Sequence, residues 1–150
     1  EYADEYKLFF RDLNYQWLEK FFSVEEKDKK LLHNPQEEII DKGGAVIFAR
    51  YEGTIAGTAA IIKLSDKECE IAKMAVNPKF QGKQIGRKLM DASIERCREM
   101  RFNKIILLTS SKLVKAVNMY ETAGFKTAKP NENILNEYSR KTIMMEMNLS

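Results

Sequence analysis

The sequence is poor in the residues that build metal sites and disulfide frameworks. It has two cysteines, Cys69 and Cys97, and one histidine, His33. Two cysteines cannot make a disulfide framework, and neither stands at a metal-ligand spacing, so no metal is expected. Both fall in apolar patterns, which reads as buried free thiols in a reducing cytosol. No apolar run approaches the roughly 18 residues of a membrane span, so no membrane partner is expected. A dominant charge sign is also missing. Twenty-five Lys and Arg against 22 Asp and Glu leave a net charge of +3, well short of the basic excess of a general nucleic-acid binder. The chain starts at Glu1 and carries no basic-then-apolar leader, which is in keeping with a cytoplasmic protein.

What is present suits one soluble domain over residues 1–150. With 44% hydrophobic residues, it is long enough to bury a core without staples. No repeat, low-complexity segment or linker divides it. Phe10, Leu13, Trp17 and Phe21 recur at helical spacing, which predicts a helix over 6–22. Asn34-Pro35 predicts a short second helix stopping at Gly43-Gly44. "AVIFARY" (45–51) and "TIAGTAAIIK" (54–63) flank Glu52-Gly53 and read as a hairpin, with Gly57 a possible bulge. "CEIAKMAV" (69–76) is a third strand ended by Asn77-Pro78. A helix follows, then a buried strand (104–109), a helix (113–124) and an alternating last strand (143–149). Strand 69–76, helix and strand 104–109 form a crossover, so those two strands should be parallel and the hairpin antiparallel. The fold class is α+β with a mixed sheet. In open sheets ligands sit past the carboxyl ends of parallel strands, where "NPKFQGKQIG" (77–86) lies.

That loop opens a helix. A helix start presents unpaired N–H groups and partial positive charge, which attract anions. Gly82 and Gly86 let the backbone approach a ligand, and Lys83, Arg87 and Lys88 add charge. The functional reading is a diphosphate site; the plainer one is an ordinary connection with solvated lysines. Neither G-x-x-x-x-G-K-[ST] nor G-x-G-x-x-G is present, so a P-loop or Rossmann site is not expected.

"MAVNPKFQGKQIGRKLM" followed by "AVNMYETAGF" resembles the GNAT superfamily of acyl-CoA-dependent N-acyltransferases. The resemblance covers roughly 45–149 in element order and 69–125 in motif detail. It implies a mixed, mostly antiparallel sheet with one splayed parallel strand pair, flanked by helices. It implies acetyl-CoA as co-substrate, with no metal. Backbone amides of Gln81, Gly82, Lys83, Gln84, Ile85 and Gly86, beside Arg87, would hold the coenzyme diphosphate. Gln84 replaces the glycine usual in the middle of that motif. Met74, Ala75 and Val76 would pair through main-chain groups with the pantetheine arm, and a backbone N–H there would stabilise the oxyanion. Asn118 would be a further coenzyme contact, since Leu113 stands where the motif often has asparagine.

Amine acetylation needs a base, an oxyanion donor and an acid for the thiolate. Strict alternation puts Glu70, Ala72, Met74 and Val76 on one face. A carboxylate on an apolar face should have a raised pKa, which suits a base. The resemblance places a glutamate at that position, so Glu70 is the expected base; its plainer reading is a solvated charge near a turn. Tyr120, in the context Ala116, Tyr120, Gly124, Phe125, matches the motif tyrosine that protonates the thiolate; its plainer reading is a core tyrosine. Neither cysteine is placed for a covalent intermediate, so transfer should be direct.

Eight of the 15 aromatic residues fall within Tyr2–Phe22, mostly the packing face of the first helix, with Trp17 a candidate acceptor contact. In the family the loop before the last strand also borders the acceptor; here it carries Tyr138 and Arg140. An amino-acid acceptor would want an arginine for its carboxylate, from Arg11, Arg50 or Arg140. The acceptor is expected to be a small-molecule or peptide amine, and the protein a monomer or homodimer. The rival reading is a non-catalytic acyl-CoA-binding module on the same fold. Nucleic-acid binding through Lys83, Arg87 and Lys88 lacks an aromatic stacking platform.

Overall fold

The computed structural model describes residues 4–21, 26–80, 82–109, 113–127 and 143–149. Helices α1 (Lys7–Phe21) and α2 (Glu26–His33) and a turn of π-helix at Gln36–Ile40 come first. Strands β1 (Ala45–Tyr51), β2 (Thr54–Lys63) and β3 (Glu68–Val76) follow. Helix α3 (Ile85–Glu99), strand β4 (Lys104–Thr109), helix α4 (Val114–Ala123), the short β5 (Lys126–Thr127) and β6 (Ile143–Asn148) complete the order. The sheet runs β1-β2-β3-β4-β6-β5. Among the described residues only β3 and β4 pair in parallel; the other neighbours are antiparallel. The parallel pair is the one expected from the crossover, and the mostly antiparallel sheet around it is the one the resemblance implied.

Local chemistry explains most of these elements. Glu52 (φ +49°) and Gly53 (φ +81°) close the β1–β2 hairpin as a two-residue turn, a geometry whose twist matches the strands. The register of that hairpin shifts between Ala49 and Arg50. Ala49 faces Gly57 and Arg50 faces Ile55, so the extra residue is Ala56, beside the glycine that signalled it. The second helix departs from expectation. Helix α2 was not foreseen, and the segment after Pro35 is a π-turn without a side-chain cap. Its first bond is made by main chain, Glu38 N–H donating to the Asn34 carbonyl at 2.9 Å.

The sheet is covered on both faces. On one, Ile61, Cys69, Ile71, Ile105, Leu107 and Met145 meet Met90, Ile94 and Cys97 of α3. On the other, Val46 and Ala60 meet Phe10, Leu31, Leu32 and Ile39. Burial of such side chains is worth roughly 1.5–3 kcal/mol each. Strand β2 is small and fully buried from Ala56 to Ala60, which lets helices approach closely on both sides.

Two positions give opposite expectations for stability. A Cβ added at Gly44 would lie 2.2 Å from the Ile61 carbonyl oxygen and 3.0 Å from that of Ile39. Main chain cannot step aside, so Gly44→Ala should destabilise by about 3 kcal/mol, a fall in Tm of roughly 6–12 °C. Ser93 Oγ is buried with no hydrogen-bond partner among the described residues. Ser93→Ala removes that unsatisfied group and should leave Tm unchanged or slightly raised. Thermal denaturation of both variants checks the pair.

Candidate functional site

Strands β3 and β4 are neighbours only at their beginnings. Their paired residues are Glu68 with Lys104, Cys69 with Ile105, and Glu70 with Ile106. Beyond Glu70, β3 stays with β2 to Val76, while β4 stays with β6 to Thr109. The facing edges of 71–76 and 107–109 therefore part. An opening between parallel strands exposes main-chain N–H and C=O groups that want partners.

Strand β3 is also bulged. The three-residue step Ala72 to Ala75 faces the two-residue step Thr58 to Ala60. Lys73 takes φ +55° there, an uncommon left-handed conformation for a side-chain-bearing residue. The bulge reverses the alternation and corrects the expected face. Cys69 and Ile71 pack with α3 residues before it; Met74 and Val76 do so after it, against Ile85 and Leu89. Ala75 turns instead to Leu13 of α1 and Ile55. Glu70 lies opposite Ile62, which packs on the α1–α2 side. Glu70 thus shares that side with Ala72 and not with Met74 or Val76. It stands partly buried at the last paired position before the strands separate.

The loop after β3 is tied down at its start. Asn77 N–H donates to the Ala56 carbonyl at 2.7 Å, and Asn77 Oδ1 accepts from Lys79 N–H at 3.0 Å. The Phe80 ring sits 5.5 Å from that of Tyr51. Gln81 lies outside the described residues. Gly82 takes φ +84°, and Gln84 takes φ +60°, ψ 25° as the residue before α3, with no side-chain cap bond. Lys88 N–H closes the first turn on the Gln84 carbonyl at 3.1 Å. The amides of Ile85, Gly86 and Arg87 precede that bond and point out of the helix start, as helix geometry requires. Ile85 is buried against Ala56 and Leu89, which fixes their direction. Lys83 and Lys88 are exposed; Arg87 Nε is drawn back to Asp91 at 3.1 Å. Gly86 is not left-handed. A Cβ there would rest 3.9 Å from Met119 Sδ and Val76 Cγ2, so the fold itself has room for alanine at Gly86, whereas the left-handed backbone at Gly82 favours glycine.

Across the opening stands α4. Gly124 ends it with φ +114°, and Phe125 N–H donates to the Tyr120 carbonyl at 3.0 Å. Val117 and Tyr120 both pack on the α3-side core, and the Tyr120 ring meets Phe125 edge-on at 6.3 Å. Burial pushes the Tyr120 phenol above its ordinary value, so it stays protonated at neutral pH and beyond. Asn118 is exposed, its carbonyl accepting from Thr122 Oγ1 at 2.8 Å. Trp17 lies on α1 with its side chain outside the described part, and Tyr138 and Arg140 lie outside the described residues.

Cys69 and Cys97 face each other with sulfurs 3.4 Å apart, both fully buried. Contact with Cys97, then burial, pushes the Cys69 thiol far up. Neither sulfur is a ready nucleophile. Among the described residues no group of three or more His, Cys, Asp or Glu gathers to hold a metal, and no helix is long and apolar enough to cross a membrane.

With this geometry in hand, the comparisons with known proteins are specific. The family model described as Acetyltransferase (GNAT) family matches residues 7–125. An uncharacterized N-acetyltransferase of Escherichia coli, YjgM, is 36% identical over 87 residues, covering 56% of this chain and 52% of that protein. The chain thus matches about half the length of that relative. A GNAT-family acetyltransferase structure from Staphylococcus aureus aligns with TM-score 0.84 and 25% identity, covering 100% of this chain and 97% of that one. One from Elizabethkingia anophelis, with acetyl-CoA bound, aligns with TM-score 0.64 and 23% identity over 85% of this chain and 92% of that one.

Gln84 yields a direct test. Its left-handed backbone belongs to the folded loop, and such a conformation costs a non-glycine residue about 1 kcal/mol. Gln84→Gly should leave the fold intact and raise Tm by up to roughly 3 °C, with coenzyme A affinity in a titration unchanged or slightly tighter. Clear weakening would assign the Gln84 side chain a share of the contact.

Proposed function

The chain belongs to the GNAT acetyltransferase family, and from that premise we propose that it moves an acetyl group from acetyl-CoA directly to an amine, its 150 residues working as one unit in the cytoplasm. The observation that carries this reading is the parting of β3 from β4 beyond Glu70 and Ile106, with the start of α3 beside it. The α3 amides of Ile85, Gly86 and Arg87, with Gln81, Gly82, Lys83 and Gln84 before them, are suited to the diphosphate. Main-chain groups of Met74, Ala75 and Val76 offer the strand edge that an extended amide-containing arm can pair with.

Each step then has a residue. Glu70 takes a proton from the entering ammonium, leaving a neutral amine. A main-chain N–H at Met74 to Val76 holds the oxyanion as nitrogen adds to the thioester carbon. The carbon–sulfur bond breaks, and Tyr120 donates its proton to the departing thiolate. The phenolate so formed regains a proton from the nitrogen, which still carries one more than the amide product; Glu70 releases the first proton to solvent. Glu70 stands on the α1–α2 side of the sheet and Tyr120 on the α3 side, so base and acid flank the opening from opposite faces. That arrangement suits a ternary complex in which neither group must move. The buried, raised Cys69 thiol supports direct transfer over a covalent relay.

The second reading, a non-catalytic acyl-CoA-binding module, draws on Gln84 and Leu113, where the chain departs from the family pattern. One variant separates the two. Protein is incubated with acetyl-CoA and a panel of amines while free thiol is followed. Tyr120→Phe should lower kcat roughly 10- to 100-fold while coenzyme affinity stays within about twofold. The variant should also lose the alkaline limb of the kcat profile, which lies above pH 10 because burial raises the phenol. Tight coenzyme binding with no amine acetylated by the unaltered protein would favour the module.

A further inference from the structure

Three arginines compete for a carboxylate on the acceptor, and the structure separates them. Arg11 Nε is already paired with Asp12 at 2.8 Å. Arg140 is outside the described residues. Arg50 remains, and among the described residues no carboxylate pairs with it. Its Nη2 donates to the Tyr6 hydroxyl at 2.7 Å, and its guanidinium carbon lies 5.8 Å from the centre of the Tyr6 ring. The Tyr6 ring rests on Phe48 at 5.2 Å. A guanidinium so held has lost much of its rotamer freedom, so less is lost on binding an anion. The Tyr6 oxygen accepts from Arg50, so its own O–H is left to donate in turn.

The position of this pair is informative. On β1, Val46 and Phe48 pack toward α1 and α2, and alternation puts Arg50 on that same side, the side of Glu70. Ala49 faces Gly57, which faces Val76, so Arg50 lies at the end of the sheet where β3 and β4 have parted. Tyr6 packs against the cluster of Leu13, Ile55 and Ala75, and Ala75 belongs to the separated part of β3. Two strand spacings, roughly 10 Å, separate the Arg50 backbone from the opening, and its side chain, held at Tyr6, covers part of that span.

We infer that the acceptor is an amine carrying a carboxylate several bonds from the reacting nitrogen, and that Arg50, backed by Tyr6, binds that carboxylate. This rests on the acetyltransfer reading above. The span matters. The carboxylate of a free α-amino acid shares one carbon with its α-nitrogen and so covers the least of that distance. A distal amine such as that of lysine, or a peptide N terminus with an acidic residue about three positions in, covers the distance. Both present the same chemistry to Arg50. Arg50 is then a specificity-determining residue with no part in proton transfer.

The test uses the whole chain saturated with coenzyme A, titrated calorimetrically with matched amines. Lysine is compared with cadaverine, which lacks the carboxylate, and Ala-Ala-Glu amide with Ala-Ala-Gln amide. One carboxylated member should bind about tenfold or more tightly than its neutral partner, and whichever pair shows it identifies the source. Arg50→Ala should erase that ratio, Arg50→Lys should restore part of it, and Tyr6→Phe should reduce it a few-fold. In turnover the loss should appear in KM with kcat nearly unchanged. No preference for the carboxylate in either pair, or a preference that survives Arg50→Ala, overturns the inference and leaves acetyltransfer standing. Failure to bind coenzyme A at all would instead remove the reading beneath it.

Discussion

The structure turns on two parallel strands that stay together for three residues and then separate. A parallel pair normally continues until one strand ends, because each abandoned backbone group must find another partner. Here β3 keeps its partners on β2 while β4 keeps its own on β6, so each strand remains in a sheet and only the shared edge is lost. That edge is the place where an extended ligand can restore the missing bonds. The bulge at Lys73 belongs to the same device. It bends β3 and exchanges which side chains face which helix, so Ala75 meets α1 while Met74 and Val76 meet α3.

The start of α3 follows from this separation. The chain leaves β3 at Val76, is turned by Asn77 and the following Pro78–Phe80 turn, and enters α3 through two left-handed residues, Gly82 and Gln84. The buried Ile85 then fixes the axis. A helix pinned at its first residue aims its free amides in a defined direction, and the opening lies alongside. In the proposed function, anion attraction at the helix start and strand pairing at the edge are two ends of one site. A ligand with an anionic end and an extended amide-bearing arm meets both.

How much of this was legible in the sequence depends on the range of the physics involved. Turn chemistry and periodicity are local, and so the hairpin at Glu52-Gly53, the crossover helix and the parallel pair could be read directly. The bulge could not be placed, because Lys73 adopts its left-handed backbone for the sake of a register set by β2. A trace was nonetheless present. Strict alternation would have put the Lys73 side chain on the core side with Cys69 and Ile71, and a lysine there is a contradiction that a bulge resolves. Helix α2 was missed because "EKDKKLLH" is mostly charged and shows little of its apolar face. Tyr6 and Arg50 are 44 residues apart, and nothing local links them; only the packing of Tyr6, in the turn just before α1, on Phe48 of β1 does.

The two faces of the sheet also bear on the proposed direct transfer. A covalent relay needs a nucleophile at the opening, and the two thiols are elsewhere. They lie at the end where β3 and β4 are still paired, sealed between strand and α3, with Cys69 held protonated by its neighbour and by burial. What the opening does offer is a carboxylate on one side and a phenol on the other. A phenol raised by burial holds its proton more tightly than a thiol does, so in the proposed mechanism donation to the thiolate is uphill and is completed as the phenolate regains a proton from the amide nitrogen. A strongly acidic donor would be ionised at neutral pH before it could act. The apolar packing that raises Tyr120 therefore keeps its phenol protonated, as the proposed role of acid requires.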